Sequence, residues 1–188
     1  ELPLAAEQAI EGVNQVAKIA QALKEFTHPI PKELAPVNLN RVIERSITVC
    51  RAEWKQLADL SFNPDKHLPQ IIGDEGSLNQ VVVNLIVNAA HAIKQRKEGD
   101  GKINIQTNVN DQRIQLKIED NGVGISEDNQ RHIFDPYFTT KDVGEGTGQG
   151  LTFVREVIVT RLGGEINVNS IVGVGTTLAL NIPILPDR

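Results

Sequence analysis

The sequence predicts an α+β fold, a two-layer sandwich of helices on a hairpin-rich sheet, preceded by one long helix. Three observations carry that prediction. Alternating apolar residues mark strands in hairpin-like pairs, 102–109 with 112–119 and 165–169 with 176–182. Around them lie amphipathic helices, the longest from about residue 77 to 95. Strands and helices do not alternate regularly, which disfavours a doubly wound parallel sheet.

Taken in order, residues 3–27 form a helix with apolar positions at Ile10, Val13, Ala17, Ala20, Leu23 and Phe26, a coiled-coil-like stripe. His28-Pro29-Ile30-Pro31 ends it, since proline drives the residue before it out of the helical region. Residues 29–37 then read as a linker, and a second domain spans 38–188. It opens with a helix through Leu39, Ile43, Ile47, Cys50 and Trp54, capped by Asn38 or Asn40. Short strands follow at 60–62 and 70–72. Ser77 with Gln80 three residues later has the form of a capping box and starts the long helix. Asn110-Asp111 is the hairpin turn between the first strand pair. A helix is expected over 126–134, a mobile glycine-rich loop over 139–150, and a further helix over 149–162.

Composition narrows the function. With 188 residues, 40% hydrophobic and 23% charged, the chain is that of a globular domain with one good core. A net charge of −5 argues against nucleic acid as a partner but not against a nucleotide, whose phosphates can be held by local donors. Cys50 is the only cysteine, so neither a disulfide framework nor a thiolate zinc site is available, and it reads as a core residue. A cytoplasmic setting is the expectation, with no direct membrane contact by this segment. The chain starts at Glu1 and contains no Met, which fits a fragment of a longer parent with room for membrane spans upstream.

Three stretches stand out chemically. Asp120-Asn121-Gly122-Val123-Gly124-Ile125 follows an alternating strand but is not followed by one, so the hairpin reading of Asn-Gly is disfavoured. A carboxylate beside a glycine-floored apolar slot suits a flat heterocycle. On the long helix, Asn84, Asn88, His91 and Gln95 share a sector of about 60°. Paired amides are unusual for a solvated face, and neutral oxygens suit a magnesium ion already carrying phosphate. Finally, Gly144, Gly146, Gly148 and Gly150 run into a helix start at Leu151, an arrangement open to anions, with Lys141 just before it. The spacing fits neither a Walker A loop nor a dinucleotide fingerprint.

Together these stretches resemble the ATP-binding domain of sensor histidine kinases, within the GHKL superfamily. The run from Asn79 through Asn84 and Asn88 to Ala90 resembles its N box, and Asp120 to Ile125 its G1 box. Ile133-Phe134-Asp135-Pro136-Tyr137-Phe138-Thr139-Thr140-Lys141 resembles the F box, and Gly146-Thr147-Gly148-Gln149-Gly150-Leu151 the G2 box. The resemblance implies a Bergerat-type ATP-binding fold with ATP and Mg2+ as cofactors. It implies that Asp120 accepts from the adenine amino group above a floor of Gly122, Gly124 and Ile125, with Thr176 in support through water. Asn88 would ligate Mg2+, and Asn84 and His91 would sit at the phosphates. Residues 138–150 would form the ATP lid, with Lys141 and the amides of Gly146, Thr147, Gly148 and Gly150 on the phosphates and Leu151 closing the cofactor-binding set. Asn84 and Lys141 are then the side chains nearest the chemistry.

The same resemblance makes residues 1–28 the second helix of a dimerisation and phosphotransfer hairpin. Its acceptor His would lie outside this chain, because none of the four histidines has the expected acidic context. His67 and His132 read as surface residues. The implied partners are the parent's phosphotransfer helix, a second copy in the full-length protein, and a response regulator receiver domain. Gln149, where many relatives carry Leu, and Leu162-Gly163-Gly164, where His-Gly-Gly is usual, depart from the pattern. Superfamily hydrolases such as gyrase place a Glu where this chain has Asn84, so kinase chemistry is expected over hydrolysis. The alternatives are an ATP-binding interaction module without kinase activity and an anti-sigma-type serine kinase.

Overall fold

The computed structural model describes residues 34–96, 99–141 and 146–184. The chain divides into two compact units, Glu1–Leu34 and Ala35–Arg188, and every described helix and strand belongs to the second. The expected N-terminal helix and His28 lie outside the described residues.

The elements run β1 (Ala35–Val37), α1 (Leu39–Val49), α2 (Arg51–Trp54), β2 (Ala58–Asn63), β3 (Ile71–Gly73) and α3 (Glu75–Lys94). They continue as β4 (Gly101–Asn110), β5 (Arg113–Asp120), α4 (Glu127–Gln130), α5 (Gly150–Arg155), β6 (Glu165–Ile171) and β7 (Gly175–Pro183). Five strands form one sheet in the order β2-β4-β5-β7-β6, antiparallel except where β2 meets β4. β1 and β3 pair separately. One face of the sheet carries the helices and the other is polar, the two-layer α+β arrangement expected.

Register explains the core. Ile118 of β5 lies opposite Ile105 and Leu178, and Leu116 opposite Thr107 and Leu180, so apolar rows run across the strands on one face. Leu78, Val82, Leu85, Ile86, Ala89 and Ile93 of α3 are buried in the same cluster. α1 adds Leu39, Val42 and Ile43, and its buried Ser46 hydroxyl donates to Asn79 Oδ1 at 2.9 Å. At about 25 cal/mol per Å² of apolar area, such rows supply the main driving force for folding.

Several local expectations are corrected. Ala35–Val37, placed in the linker, is a strand, and its unit begins at Ala35 rather than at Asn38. Asn38, not Asn40, caps α1, accepting from the Arg41 amide. The Asn40 amide instead donates to the Asp65 carbonyl and its oxygen accepts from Thr107. Ser77 does not cap α3. Asp74 does, its carboxylate accepting from the Ser77 N–H at 2.7 Å, and the helix begins two residues before Ser77. An aspartate outcompetes the serine because its charge also suits the positive end of the helix dipole. The hairpin turn sits one residue later than Asn-Asp predicts, at Asp111-Gln112, with Asn110 paired to Arg113 and Asp111 left-handed at φ 50°. Asn and Asp both tolerate that conformation, so their order alone does not choose the register. Helix α4 stops at Gln130, well short of Phe134, and past α5 the chain continues in wider π-type turns over Glu156–Arg161.

Asp74→Ala should therefore destabilise the unit by about 0.5–2 kcal/mol in urea unfolding, the usual cost of losing a cap. Ser77→Ala should stay within about 0.5 kcal/mol. The reverse ranking would restore the capping-box reading.

Candidate functional site

At the end of β5 the chain must leave the sheet, and it does so by passing over the last turn of α3. An ideal Cβ on Gly122 would lie 2.6 Å from both the carbonyl carbon and the Cβ of Ala92. No side chain fits there, so glycine is required by close approach rather than by dihedral angle. The next amide, Val123 N–H, donates to the Ala92 carbonyl at 3.1 Å, satisfying one of the helix-end acceptors. Gly124 then turns with φ 71° against the Ile171 carbonyl. Asn121 braces the start of β4, accepting from the Lys102 amide at 2.7 Å and donating to the Asp100 carbonyl at 2.8 Å.

Asp120 points to the inner, helix-covered face. Its Oδ1 accepts from the Gly122 amide at 2.8 Å. Burial pushes its carboxyl up to about 6, while the backbone N–H groups of Gly122 and Thr176 draw it back down. Thr176, buried, lies directly across from it on β7. The Ile125 amide donates to the Ser170 hydroxyl at 2.8 Å, and Gln130 bridges the Ile125 and Ser170 carbonyls. The expected pocket residues Asp120, Gly122, Gly124, Ile125 and Thr176 are thus gathered at one end of α3.

The remaining expected residues gather along the same helix, from His91 beside Ala92 up to Asn84 two turns earlier. Lys141 Nζ lies 2.6 Å from His91 Nδ1 and 3.5 Å from Asn88 Oδ1. Asn84 is held at both ends of its amide, its oxygen accepting from Gln80 at 2.9 Å and its nitrogen donating to the Gly150 carbonyl at 3.2 Å. Asn88 and Asn84 precede Ala92 by one and two helical turns, so they lie about 6 and 12 Å along the axis from it. A carboxylate slot and an amide–amine cluster on one helix suit an elongated ligand with a flat end and an anionic end.

The loop before α5 is fastened at its base. Tyr137, exposed and left-handed at φ 66°, donates its N–H to the Gly148 carbonyl at 3.1 Å. Gly146 packs against the Thr139 hydroxyl and Lys141, while Thr147, exposed, accepts from the Gln149 amide. Leu151 packs on the core. Gly144 lies outside the described residues. His67 is exposed, and His132, also exposed, pairs with Asp135 at 2.8 Å. Among the described residues no group of three His, Cys, Asp or Glu could hold a metal. No described helix is long and apolar enough to cross a membrane.

Sequence reasoning misses Ala92, Ser170 and Gln130, and gives Gln80 a capping role where it holds the Asn84 oxygen. Ala92 was visible only as a small residue near the end of the helix. Ser170 continues the alternation of Ile166 and Val168 with a polar residue, a signal too common at a strand end to single out.

Comparison with known proteins gives the family and the fold. The profile of the histidine kinase-, DNA gyrase B- and HSP90-like ATPases matches residues 73–186. The chain is 36% identical over 179 residues to the signal transduction histidine-protein kinase AtoS of Escherichia coli, covering 94% of this chain and 28% of that one. It is 33% identical to the sensor histidine kinase ZraS of Salmonella typhimurium, covering 92% of this chain and 36% of that one. The chain therefore spans only about a third of those relatives. The catalytic domain of histidine kinase ThkA superposes with a TM-score of 0.71 at 28% identity, covering 82% of this chain and 98% of that one. ThkA in complex with the response regulator protein TrrA superposes at 0.73 and 23% identity, covering 95% and 50%, a likeness of fold.

The buried Asp120 carboxylate sets a stability prediction. A carboxyl raised to about 6 in the folded state binds its proton more tightly there than in the unfolded chain. Its contribution to stability is therefore greatest at low pH and is lost as pH rises from about 4 to above 6. Asp120→Asn should raise the melting temperature of the ligand-free protein at pH 7 by a few degrees and have little effect at pH 4. A lower melting temperature at pH 7 would mean that the carboxylate is held by favourable partners instead.

Proposed function

We infer function from a firm premise: the chain belongs to the histidine kinase-, DNA gyrase B- and HSP90-like ATPase family. Its curated relatives are sensor histidine kinases, and its fold is that of their catalytic domain. We propose that the chain binds ATP with Mg2+ and passes the γ-phosphoryl group to a histidine on the parent's phosphotransfer helix, for relay to a response regulator aspartate. The observation that carries this reading is the joint placement of Asp120 and the Asn88–His91–Lys141 cluster at two levels of α3.

Each residue then has a defined task. Ionised Asp120 accepts from the exocyclic amino group of adenine, and Gly122, Gly124 and Ile125 form the floor beneath the ring. Lys141, turned toward Asn88 and His91, would pair with phosphate oxygens, and its charge would offset the negative charge of the transferring group. The Asn88 oxygen faces an ammonium group, so it suits a cation, and a neutral oxygen is the donor that Mg2+ accepts beside phosphates and water. Mg2+ supplies charge neutralisation on those phosphates when bound. Asn84, engaged at both ends, anchors the lid at Gly150 and offers no general base for water. An imidazole acceptor is itself the nucleophile, so positioning and charge neutralisation suffice for transfer.

Two findings support kinase over hydrolase: the relatives' names and the amide at residue 84. The partners inferred are the parent's phosphotransfer helix, a second copy through that hairpin, and a response regulator, as in the ThkA complex. A cytoplasmic location, with any membrane anchor elsewhere in the parent, accords with that role.

Asp120→Asn should weaken binding of a fluorescent ATP analogue ten- to a hundredfold at pH 7.5, the loss of a hydrogen bond to a charged group being worth about 1.5–3 kcal/mol. Wild-type affinity should also fall as pH drops below about 6, where the carboxyl takes up its proton. Unchanged binding in the variant would move the base elsewhere. Supplied in trans with a phosphotransfer hairpin and labelled ATP, the wild-type chain should label the hairpin histidine while showing little steady-state hydrolysis. Nucleotide binding without labelling would leave an interaction module, and gyrase-like turnover would overturn the kinase reading.

A further inference from the structure

The turn over 134–137 and the start of α5 are pressed together, and the side chain that joins them is not among those expected at the site. Tyr137 is left-handed at φ 66° with its ring exposed, a conformation that a bulky residue rarely adopts. Such strain persists only where surrounding contacts hold it. The contact here is with Gly148, on which an ideal Cβ would lie 2.3 Å from the Tyr137 carbonyl carbon.

Thr152, half-buried in the first turn of α5, reaches back into this contact. Its hydroxyl oxygen lies 3.3 Å from the Phe134 carbonyl, 3.3 Å from that of Asp135 and 3.4 Å from that of Gly148. A hydroxyl has one hydrogen to give to these three acceptors. The Gly148 carbonyl already accepts from the Tyr137 amide at 3.1 Å, and the Asp135 carbonyl from the Phe138 amide at 3.2 Å. Donation to Phe134 is therefore the arrangement that gives each carbonyl a donor. A threonine in a helix can bond the carbonyl four residues back, which here is Gly148. Thr152 exchanges that local bond for one that crosses to the other segment.

The cross-link joins two parts of the proposed phosphate end. The 134–137 turn leads through Phe138 and Thr139 to Lys141, whose amide donates to the Thr139 hydroxyl at 3.1 Å. The start of α5 carries Gly150, whose carbonyl is held by Asn84 of α3 at 3.2 Å. We propose that Thr152 is a positioning residue for phosphate binding, its hydroxyl latching the segment that bears Lys141 to a helix start that is itself fixed on α3. Thr152 acts through Lys141 and need not touch the ligand. A cation held in place before the ligand arrives costs less to engage than one on a segment that must first be ordered. The inference rests on the phosphate reading of Lys141.

Titration of the intact chain with a fluorescent ATP analogue tests this in two backgrounds. Thr152→Val keeps the shape of the side chain and removes the donor. In the wild-type background it should weaken binding about fivefold, the worth of one net hydrogen bond, and Thr152→Ser should bind as wild type does. Thr152→Ala carries the same expectation should Thr152→Val fold poorly. Lys141→Ala should itself weaken binding, and adding Thr152→Val to it should then have no further effect, the mark of two residues acting in series. The same fivefold loss in both backgrounds would mean a purely structural role and overturn the proposal, as would full affinity in folded Thr152→Val. Wild-type affinity in Lys141→Ala would instead sink the phosphate reading of Lys141, and the inference with it.

Discussion

The structure turns on one backbone contact, Gly122 seated on Ala92 with the Val123 amide bonded to the Ala92 carbonyl at 3.1 Å. That contact joins the end of β5 to the last turn of α3, and everything in the site is measured from it. It brings Asp120 to the foot of a helix that carries His91 in that same turn and Asn88 and Asn84 one and two turns higher. It gives a helix-end carbonyl a backbone donor. Gly122 cannot be replaced there without moving the helix or the strand. The G1 stretch reads as a turn in isolation, and in the fold it is a hinge between layers.

The loop that precedes α5 depends on the same helix. Lys141 on one side of it reaches His91 and Asn88, and Gly150 on the other is held by Asn84. Both ends of the loop are therefore fastened to α3, from the turn of Ala92 at His91 to two turns above it at Asn84. Tyr137 and Gly148 close the base between them. Helix α3 thus serves both ends of the proposed ligand, which relates the base to the phosphates through a rigid element rather than through loops. Rigid elements hold a binding geometry better than loops do, because their backbone bonds are already satisfied.

Much of this was legible in the sequence. The stripe on α3 and the alternation in β4 and β5 predicted the layers, because periodicity reports burial directly. The site stretches were legible because carboxylate, paired amides and glycines are costly choices that packing alone does not explain. The contacts between them were not. Nothing near Gly122 in sequence names Ala92, thirty residues away, as its seat. Thr176 looks like an ordinary strand residue until the register sets it beside Asp120, with Ser170 across from it on the edge strand. Asp74 and Ser77 are both good caps, and the charge that favours Asp74 at the positive end of the helix does not show in the capping-box spacing. The short strand Ala35–Val37 contains Pro36 and is three residues long, too brief for alternation to show.

The central claim is that the two clusters on α3 are two ends of one nucleotide site. A crystal structure of the chain with a non-hydrolysable ATP analogue and Mg2+ tests it most directly. The adenine amino group should lie within hydrogen-bond distance of the Asp120 carboxylate, above Gly122, with the phosphates between Lys141 and the Asn88 oxygen. An analogue seated with its phosphates away from Asn88 and Lys141, or its base away from Asp120, would contradict it.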